Sequence, residues 1–382
     1  MDMELVNTFG YHRDNPNISL DQYIRSKRIE LGESLKKKVK IYLDTKYWIY
    51  FRDVYLRRIT SGPLVKSYEL LESLCKSGIV ICPISEDVFY EIIKQEDEKT
   101  LSASIKIIDK FSLGISLTSQ EERIQAEILH FYYRYNNKGV SLYSPEVFAW
   151  TKTSQSLGTR IPCNTAFSKQ EELVIQKVFF DQMWCTNLQD ICSIIGFQGL
   201  KDIPKMPDLS KLLNEDAEQC RDKTSTFKAI FIDEVCLSVE YIADMLTEAM
   251  EHIYTKETGK VRSDEEKKDK DKLLINVVTN MFRLGKEGDN FPTLKVGAGV
   301  HAAIRVDKKR QFQANDYYDF RHAQAAVPYC DYFFTEKNLR HLLKMNSLSY
   351  DKEYSCEIVS KQSEALKILT DIETKRDLEV LI

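Results

Sequence analysis

Short apolar runs lie near the two ends of the chain, and long amphipathic stretches fill the space between them. The segment Val39–Leu43 in KVKIYLDTKYW is a β-rich run that follows the basic cluster Lys36, Lys37 and Lys38 and stops at Asp44. A buried strand there ends in a carboxylate at its C-terminal tip. From Pro63 to Lys76, Leu64, Tyr68, Leu71 and Leu74 recur at helical spacing, with Gly78 as the stop signal. Residues 79–81 form a second apolar strand, and Ser85 opens a helix that runs to about residue 95. Strand, helix, strand, helix predicts a parallel sheet covered on both faces.

Between residues 100 and 310 the pattern turns helical. Helices are predicted over 119–135, where Ser119 and Glu122 form a capping box, over 168–195 and over 224–254. The polar stretch 255–272, ending in DEEKKDKDK, predicts a solvated loop or a frayed helix start. Strand character returns at 332–335 and 354–359, flanked by helices over 316–327, 336–345 and 363–372. The expected fold class is α/β. Residues 39–110 and 311–382 form a parallel-sheet α/β/α core, 1–38 an N-terminal extension, and 111–310 a large helical insertion.

Composition narrows the function classes. The 382 residues carry 54 Lys+Arg against 58 Asp+Glu, a net charge of -4, so a polyanion must be held by a local basic patch. At 43% hydrophobic there is material for a real core. No apolar run of about 18 residues occurs and the N-terminus is polar, so no membrane span or signal peptide is expected and the location expected is cytoplasmic. The nine cysteines are scattered, with no C-x-x-C pair, and the six histidines form no H-E-x-x-H, which argues for reduced core thiols and against zinc.

Active sites of parallel α/β sheets lie outside the carboxyl ends of the strands. Asp44 ends the first strand, Glu91 lies on the helix after the second, Asp316 and Asp319 start a late helix, and Asp331 and Glu336 flank the third strand. Carboxylates gathered at one edge repel by about 4 kcal/mol for a close pair and call for a cation. Oxygen ligands without His or Cys select Mg²⁺ or Mn²⁺. Each acid also has a plain structural role open to it: Asp44, Asp316 and Asp331 as caps, Glu91 as a solvated helix residue paired with Lys94 or Asp87.

The stretches KIYLDTKYWIYFRD, VICPISEDVFYEII and NDYYDFRHAQAAVPYCDYFFTEKNLRHL, in that order, resemble the PIN-like nuclease domains. The likeness covers the two ends of the chain and leaves the middle unaddressed. By position Asp44 matches the family's first acid, Glu91 its helix Glu, and Asp319 its third acid in the D-x-x-H-A-x-x-A form of larger bacterial PIN-like proteins. The fourth acid of the family follows a strand-ending Thr, here Thr335, by about two residues, and that place holds Lys337. Either Glu336 or Asp331 substitutes, or the second metal is held weakly or arrives with the substrate. The resemblance implies a metal-dependent endonuclease, acting on RNA more often than DNA, with Asp44, Glu91, Asp319 and Asp331 catalytic and these four plus Glu336 as Mg²⁺ or Mn²⁺ ligands.

Supporting chemistry is present nearby. Lys46, Arg52, Arg57 and Arg58 follow Asp44; Lys308, Lys309 and Arg310 precede the late helix, Arg321 lies on it, and Arg340 and Lys344 come after the third strand. Cations of this kind beside an acidic pocket suit phosphates. Tyr47, Trp48, Tyr317 and Tyr318 are candidates to stack unpaired bases or to fill the core. His322, one turn after Asp319, is a candidate to touch the scissile phosphate or to orient that acid. An aspartyl-nucleophile phosphatase is disfavoured because Lys46 stands where its second Asp belongs, and no phosphate-binding glycine loop follows a strand. The alternative to an enzyme is a PIN-like scaffold that has lost a ligand and binds RNA or docks a protein partner through the helical insertion. An insertion of that size suits a regulated stress or defence effector.

Overall fold

The computed structural model describes residues 6–136, 143–204, 207–219, 226–307 and 309–380. Six short strands occur among them: β1 (Val39–Leu43), β2 (Val80–Ile81), β3 (Ile115–Leu117), β4 (Trp150–Lys152), β5 (Tyr332–Phe334) and β6 (Glu357–Val359). Four form one sheet in the order β2-β1-β5-β6, all parallel. Residues from opposite ends of the chain thus pair directly, Ile41 with Tyr332 and Leu43 with Phe334. The remaining strands, β3 and β4, form an antiparallel pair, which a single parallel bridge between Ile84 and Ser116 ties to the segment after β2.

The inner strands are apolar without alternation. Ile41, Tyr42, Leu43, Phe333 and Phe334 are all fully buried, as expected of a sheet with helices on both faces. The helix Pro63–Lys76 packs on the C-terminal helix Gln362–Val380, and Thr45–Tyr55 packs on Glu98–Ser112. From β1 the chain moves outward to β2, whereas from β5 it moves the other way to β6. The crevice between β1 and β5 at their carboxyl ends is therefore the topological switch point, where open α/β sheets bind ligands.

Several expectations for the middle change. The stretch expected as one helix over 168–195 is two, Lys169–Cys185 and Leu188–Asp202. Asn187 caps the second of them, and the Asp109 carboxylate accepts from the N–H groups of Leu188 and Gln189 at 2.9 and 2.7 Å, so the break is satisfied by side chains. Likewise 224–254 divides into Phe227–Tyr241 and Ala243–Thr258, with residues 224 and 225 outside the described residues. The polar run is a helix start: Ser263 and Glu266 form a capping box and DEEKKDKDK is the first half of Asp264–Arg283. One strand pair is also new, since β3 and β4 lie inside the stretch expected to be helical.

A second core cluster, including Ile128, Val235, Val278 and Phe282, lies among these helices, while Val296 and Val300 of the helix Pro292–Val306 join the core around the sheet. Gly297 and Gly299 make that approach possible. A Cβ on Gly297 would fall 1.7 Å from Gln324 Nε2, and one on Gly299 1.9 Å from the Tyr350 hydroxyl. Among the described residues no helix is long and apolar enough to cross a membrane.

Candidate active site at the carboxyl edge of the sheet

Asp44 stands at the tip of β1, where its N–H donates to Phe334 O of β5 at 3.0 Å. It does cap the next helix: Oδ1 accepts from the N–H groups of Lys46 at 3.0 Å and Tyr47 at 3.3 Å. The other oxygen, Oδ2, is buried with no hydrogen-bond partner. Burial pushes the Asp44 pKa up to about 6, with His322 and the Thr335 hydroxyl pulling it down and Glu336 adding to the rise. Thr335 Oγ1 therefore lies close enough to act on Asp44, yet it falls short of a regular hydrogen bond and is itself buried without a partner.

Glu91 reaches the same place from the helix Glu86–Ile92. Its Oε2 accepts from the Thr45 hydroxyl and lies 2.8 Å from His322 Nε2. Although burial raises its pKa, the His322 bond and charge and the Thr45 hydroxyl outweigh that and leave it lowered. Behind His322 runs a buried chain of polar groups. Ser85 Oγ donates to Asp87 Oδ2 at 3.2 Å, so it accepts in its 2.7 Å contact with the Tyr42 hydroxyl. The Tyr42 proton is then spent, and its oxygen accepts from His322 Nδ1 at 2.8 Å. Both ring nitrogens donate, which assigns His322 as an imidazolium. Burial opposes that charge, but the Glu91 bond and the charges of Glu91, Asp87 and Asp44 raise the His322 pKa to about 9.

Asp319 faces this group from the helix Asp316–Ala326. Burial pushes its pKa up to about 7; His322 lowers it, while Asp44, Glu336 and Glu91 raise it further. The structure thus brings Asp44, Glu91, Asp319 and Glu336 within electrostatic reach of one another. Glu336 heads the helix Lys337–Leu343 without a side-chain cap bond and lies 3.6 Å from Lys46 Nζ. Lys337, at the place of the missing acid, is exposed.

Comparison of the chain with protein-family models, curated proteins and solved structures gives no match.

A divalent cation is tested by the donor set. Asp44 Oδ2 is a buried carboxylate oxygen without a partner, and the pKa values of Asp44 and Asp319 are raised, so negative charge here lacks full compensation. Hard oxygens with these properties fit Mg²⁺ or Mn²⁺. Among the described residues, no three His, Cys, Asp or Glu side chains form a ready-made metal cage. The fit therefore rests on chemistry and position, with Glu91 already engaged by two donors.

Other expected site residues lie elsewhere. Asp331 belongs to the opposite edge: it precedes β5, its Oδ2 accepts from Lys40 N at 2.7 Å, and Lys40 Nζ is 3.2 Å away. The intervening strand separates it from Thr335 by roughly 13 Å at the usual rise per residue, so it is no ligand of this site. Arg321 is buried between carboxylates, with Nε 2.5 Å from Asp87 and Nη2 2.5 Å from Glu86, and is not free for nucleic acid. His322 is equally buried and holds Glu91 in place of touching a phosphate. Tyr47, Trp48 and Tyr318 are buried core residues. Arg52 and Arg58 pair with Asp53, Arg310 with Asp316, Arg340 with Glu364 and Lys344 with Asp351; Lys308 lies outside the described residues. Asp316 is the first residue of its helix and not its cap: the cap position is Asn315, and the Asp316 carboxylate reaches back to accept from Gln313 N at 2.9 Å in the preceding turn. Lys46 stays partly exposed beside Glu336.

Sequence reasoning missed Thr45, Tyr42, Ser85 and Asp87. Thr45 and Ser85 carried a signal, since each begins the segment that follows a strand, where side chains point into the crevice. The Tyr42 hydroxyl had none, because in a run such as VKIYL it reads as core.

Proposed function

We propose that this protein is a Mg²⁺- or Mn²⁺-dependent nuclease of the PIN-like kind, hydrolysing phosphodiester bonds in nucleic acid, RNA ahead of DNA. The observation that carries the reading is the partnerless Oδ2 of Asp44 within reach of Asp319 and Glu336 at the switch point of the sheet. Asp44, Asp319 and Glu336 would hold the cation, with Glu91 contributing its second oxygen. The ion would stabilise charge on the phosphate and acidify an attacking water. The protein's own residues prepare that step. His322 fixes Glu91, the Tyr42–Ser85–Asp87 chain fixes His322, and Lys46 offers a partly exposed cation to the phosphate. Because burial raises the Asp319 pKa to about 7 and that of Asp44 to about 6, cation binding must displace the Asp319 proton near neutrality and both protons at lower pH, and it tightens as pH rises.

Labelled RNA and DNA incubated with the protein in Mg²⁺, Mn²⁺ or EDTA test the reading, with Asp44→Asn and Asp319→Asn as controls. Cleavage is expected only with metal and only in the unmodified protein; cleavage that persists in EDTA or in both variants removes the mechanism. The second reading, a scaffold that binds nucleic acid or a protein partner without cutting, is favoured by Lys337 at the fourth-acid place and by the two donors on Glu91. Saturable binding with no cleavage under any metal condition would select it.

A further inference from the structure

Two faces of the helix Asp316–Ala326 do different work. Asp319 and His322 face the carboxylate crevice, whereas Tyr317, Phe320, Arg321 and Gln324 recur at helical spacing on the other side and line a cavity of about 340 Å³. The helix Phe227–Tyr241 brings Leu237, Ser238 and Tyr241 to the same cavity. Of these, Tyr241 is 80% exposed and Leu237 53%, large apolar side chains held out in solvent at a concave site. His301 adds a ring 4.7 Å from that of Phe320, and burial lowers its pKa, which keeps it neutral. Gln120 and Glu121 supply an amide and a carboxylate. Ser238 and Gln324 add a hydroxyl and an amide whose NH2 faces Thr293 O, and Arg321 Nη1 makes only long contacts, 3.4 Å to Glu121 and 3.3 Å to the Tyr317 hydroxyl.

These features select among ligand classes. An anion is opposed by Glu86, Asp87 and Glu121, which already surround the single guanidinium. Among the described residues a cation finds no unpaired carboxylate in the wall, because Glu121, the one carboxylate lining the cavity, already faces Arg321 Nη1 at 3.4 Å. A sugar wants more hydrogen-bonding groups than this largely apolar wall offers, and an acyl chain has no use for the amide and carboxylate. A flat, uncharged ring with hydrogen-bonding edges satisfies both the aromatic walls and the polar groups.

We propose that this cavity binds an unpaired nucleobase, stacked on Tyr241 and Tyr317 and read along its edge by Gln120 and Glu121. The base comes either from a free nucleoside or from a single strand whose phosphates run past the Asp319 face of the helix. Binding does not depend on the hydrolytic reading.

Calorimetric titration of the full chain with the four ribonucleosides, and with ribose as control, forms one arm. Titration of the Asp44→Asn protein with a short single-stranded oligonucleotide forms the other. Nucleosides are expected to bind saturably and ribose not at all. Tyr241→Ala, at an exposed position that the fold does not need, should weaken binding about tenfold, the loss expected of one stacked base. Ser238→Trp, which fills the cavity, should abolish it. Binding of the oligonucleotide alone, lost in Ser238→Trp, also supports the site and assigns the base to the strand. No binding in either arm, or binding indifferent to both substitutions, overturns the proposal.

Discussion

The Tyr42 hydroxyl lies 2.8 Å from His322 Nδ1, joining the middle of the first strand to a helix 280 residues further along the chain. Because Tyr42 spends its proton on Ser85, it can only accept from the imidazole, and the histidine is held doubly protonated against Glu91. Tyr42→Phe removes the acceptor and strands a buried N–H, at a cost of about 1–3 kcal/mol. The His322 pKa should fall from its raised value, followed by NMR titration of the ring. An unchanged titration would show that the chain from Asp87 does not govern the ring.

The raised carboxylates give a pH signature. A group whose folded pKa exceeds its unfolded value adds stability that is complete below the unfolded pKa and is lost as pH climbs through the folded one. For Asp319 that window runs from about 4 to about 7, and for Asp44 it closes near 6. Burial lowers the His322 pKa, but Glu91 raises it more, to about 9, so its contribution declines between about 6.5 and 9 in the same direction. Urea unfolding in EDTA should therefore show stability falling from pH 5 to pH 8. Asp319→Asn, which mimics the neutral acid, should flatten that slope and be more stable than the unmodified protein at pH 8. A variant that is less stable at pH 8 would contradict the raised pKa.

Divalent cation binding should reverse that loss. Mn²⁺ is expected to raise the melting temperature at pH 8 more than at pH 5, and Asp44→Asn should remove the rise. Lys337→Asp places an acid at the exposed position after Glu336 and removes a positive charge, so Mn²⁺ should bind severalfold tighter. Titration followed by Mn²⁺ paramagnetic resonance measures both. A Lys337→Asp protein with weaker Mn²⁺ binding would mean that the ion sits elsewhere.

Arg321 holds the fold at this edge by pairing with Glu86 and Asp87, and burial pushes the Glu86 pKa up to about 7 despite that pairing. Arg321→Ala leaves those acids facing each other in a buried place and should cost about 3–5 kcal/mol in denaturant unfolding. A surface nucleic-acid contact would cost little stability and would instead flatten the salt dependence of RNA binding.

Glycine 32 gives a steric test of the N-terminal helix Leu20–Leu35. A Cβ there would stand 2.3 Å from the carbonyl oxygen of Val147, a backbone atom that cannot swing aside. Gly32→Ala should destabilise by about 1–3 kcal/mol, the usual cost of overpacking, measured by thermal unfolding.

Much of the secondary structure was legible because it is local. Val39–Leu43 and Pro63–Lys76 fall where their periodicities put them, and of the two readings open to the charged stretch, loop or helix start, the Ser263–Glu266 capping box selects the helix start. Where one long helix was expected over 168–195, the break carries a local cap, Asn187, and a second acceptor that no local window shows, the Asp109 carboxylate on the N–H groups of Leu188 and Gln189.

What the sequence by itself determined is the alternation of strands and helices and the carboxylate at the end of each relevant segment, since side-chain period and capping chemistry act over a few residues. Only the tertiary structure decided which acids share an edge. The parallel pairing of β1 with β5 sets Glu336 beside Asp44 and sends Asp331 to the far end, because one short strand lies between them and a parallel sheet has two chemically distinct edges. The roles of Arg321 and His322 were settled the same way: burial leaves a charged group no partner but another buried charge, and those partners are fixed by packing.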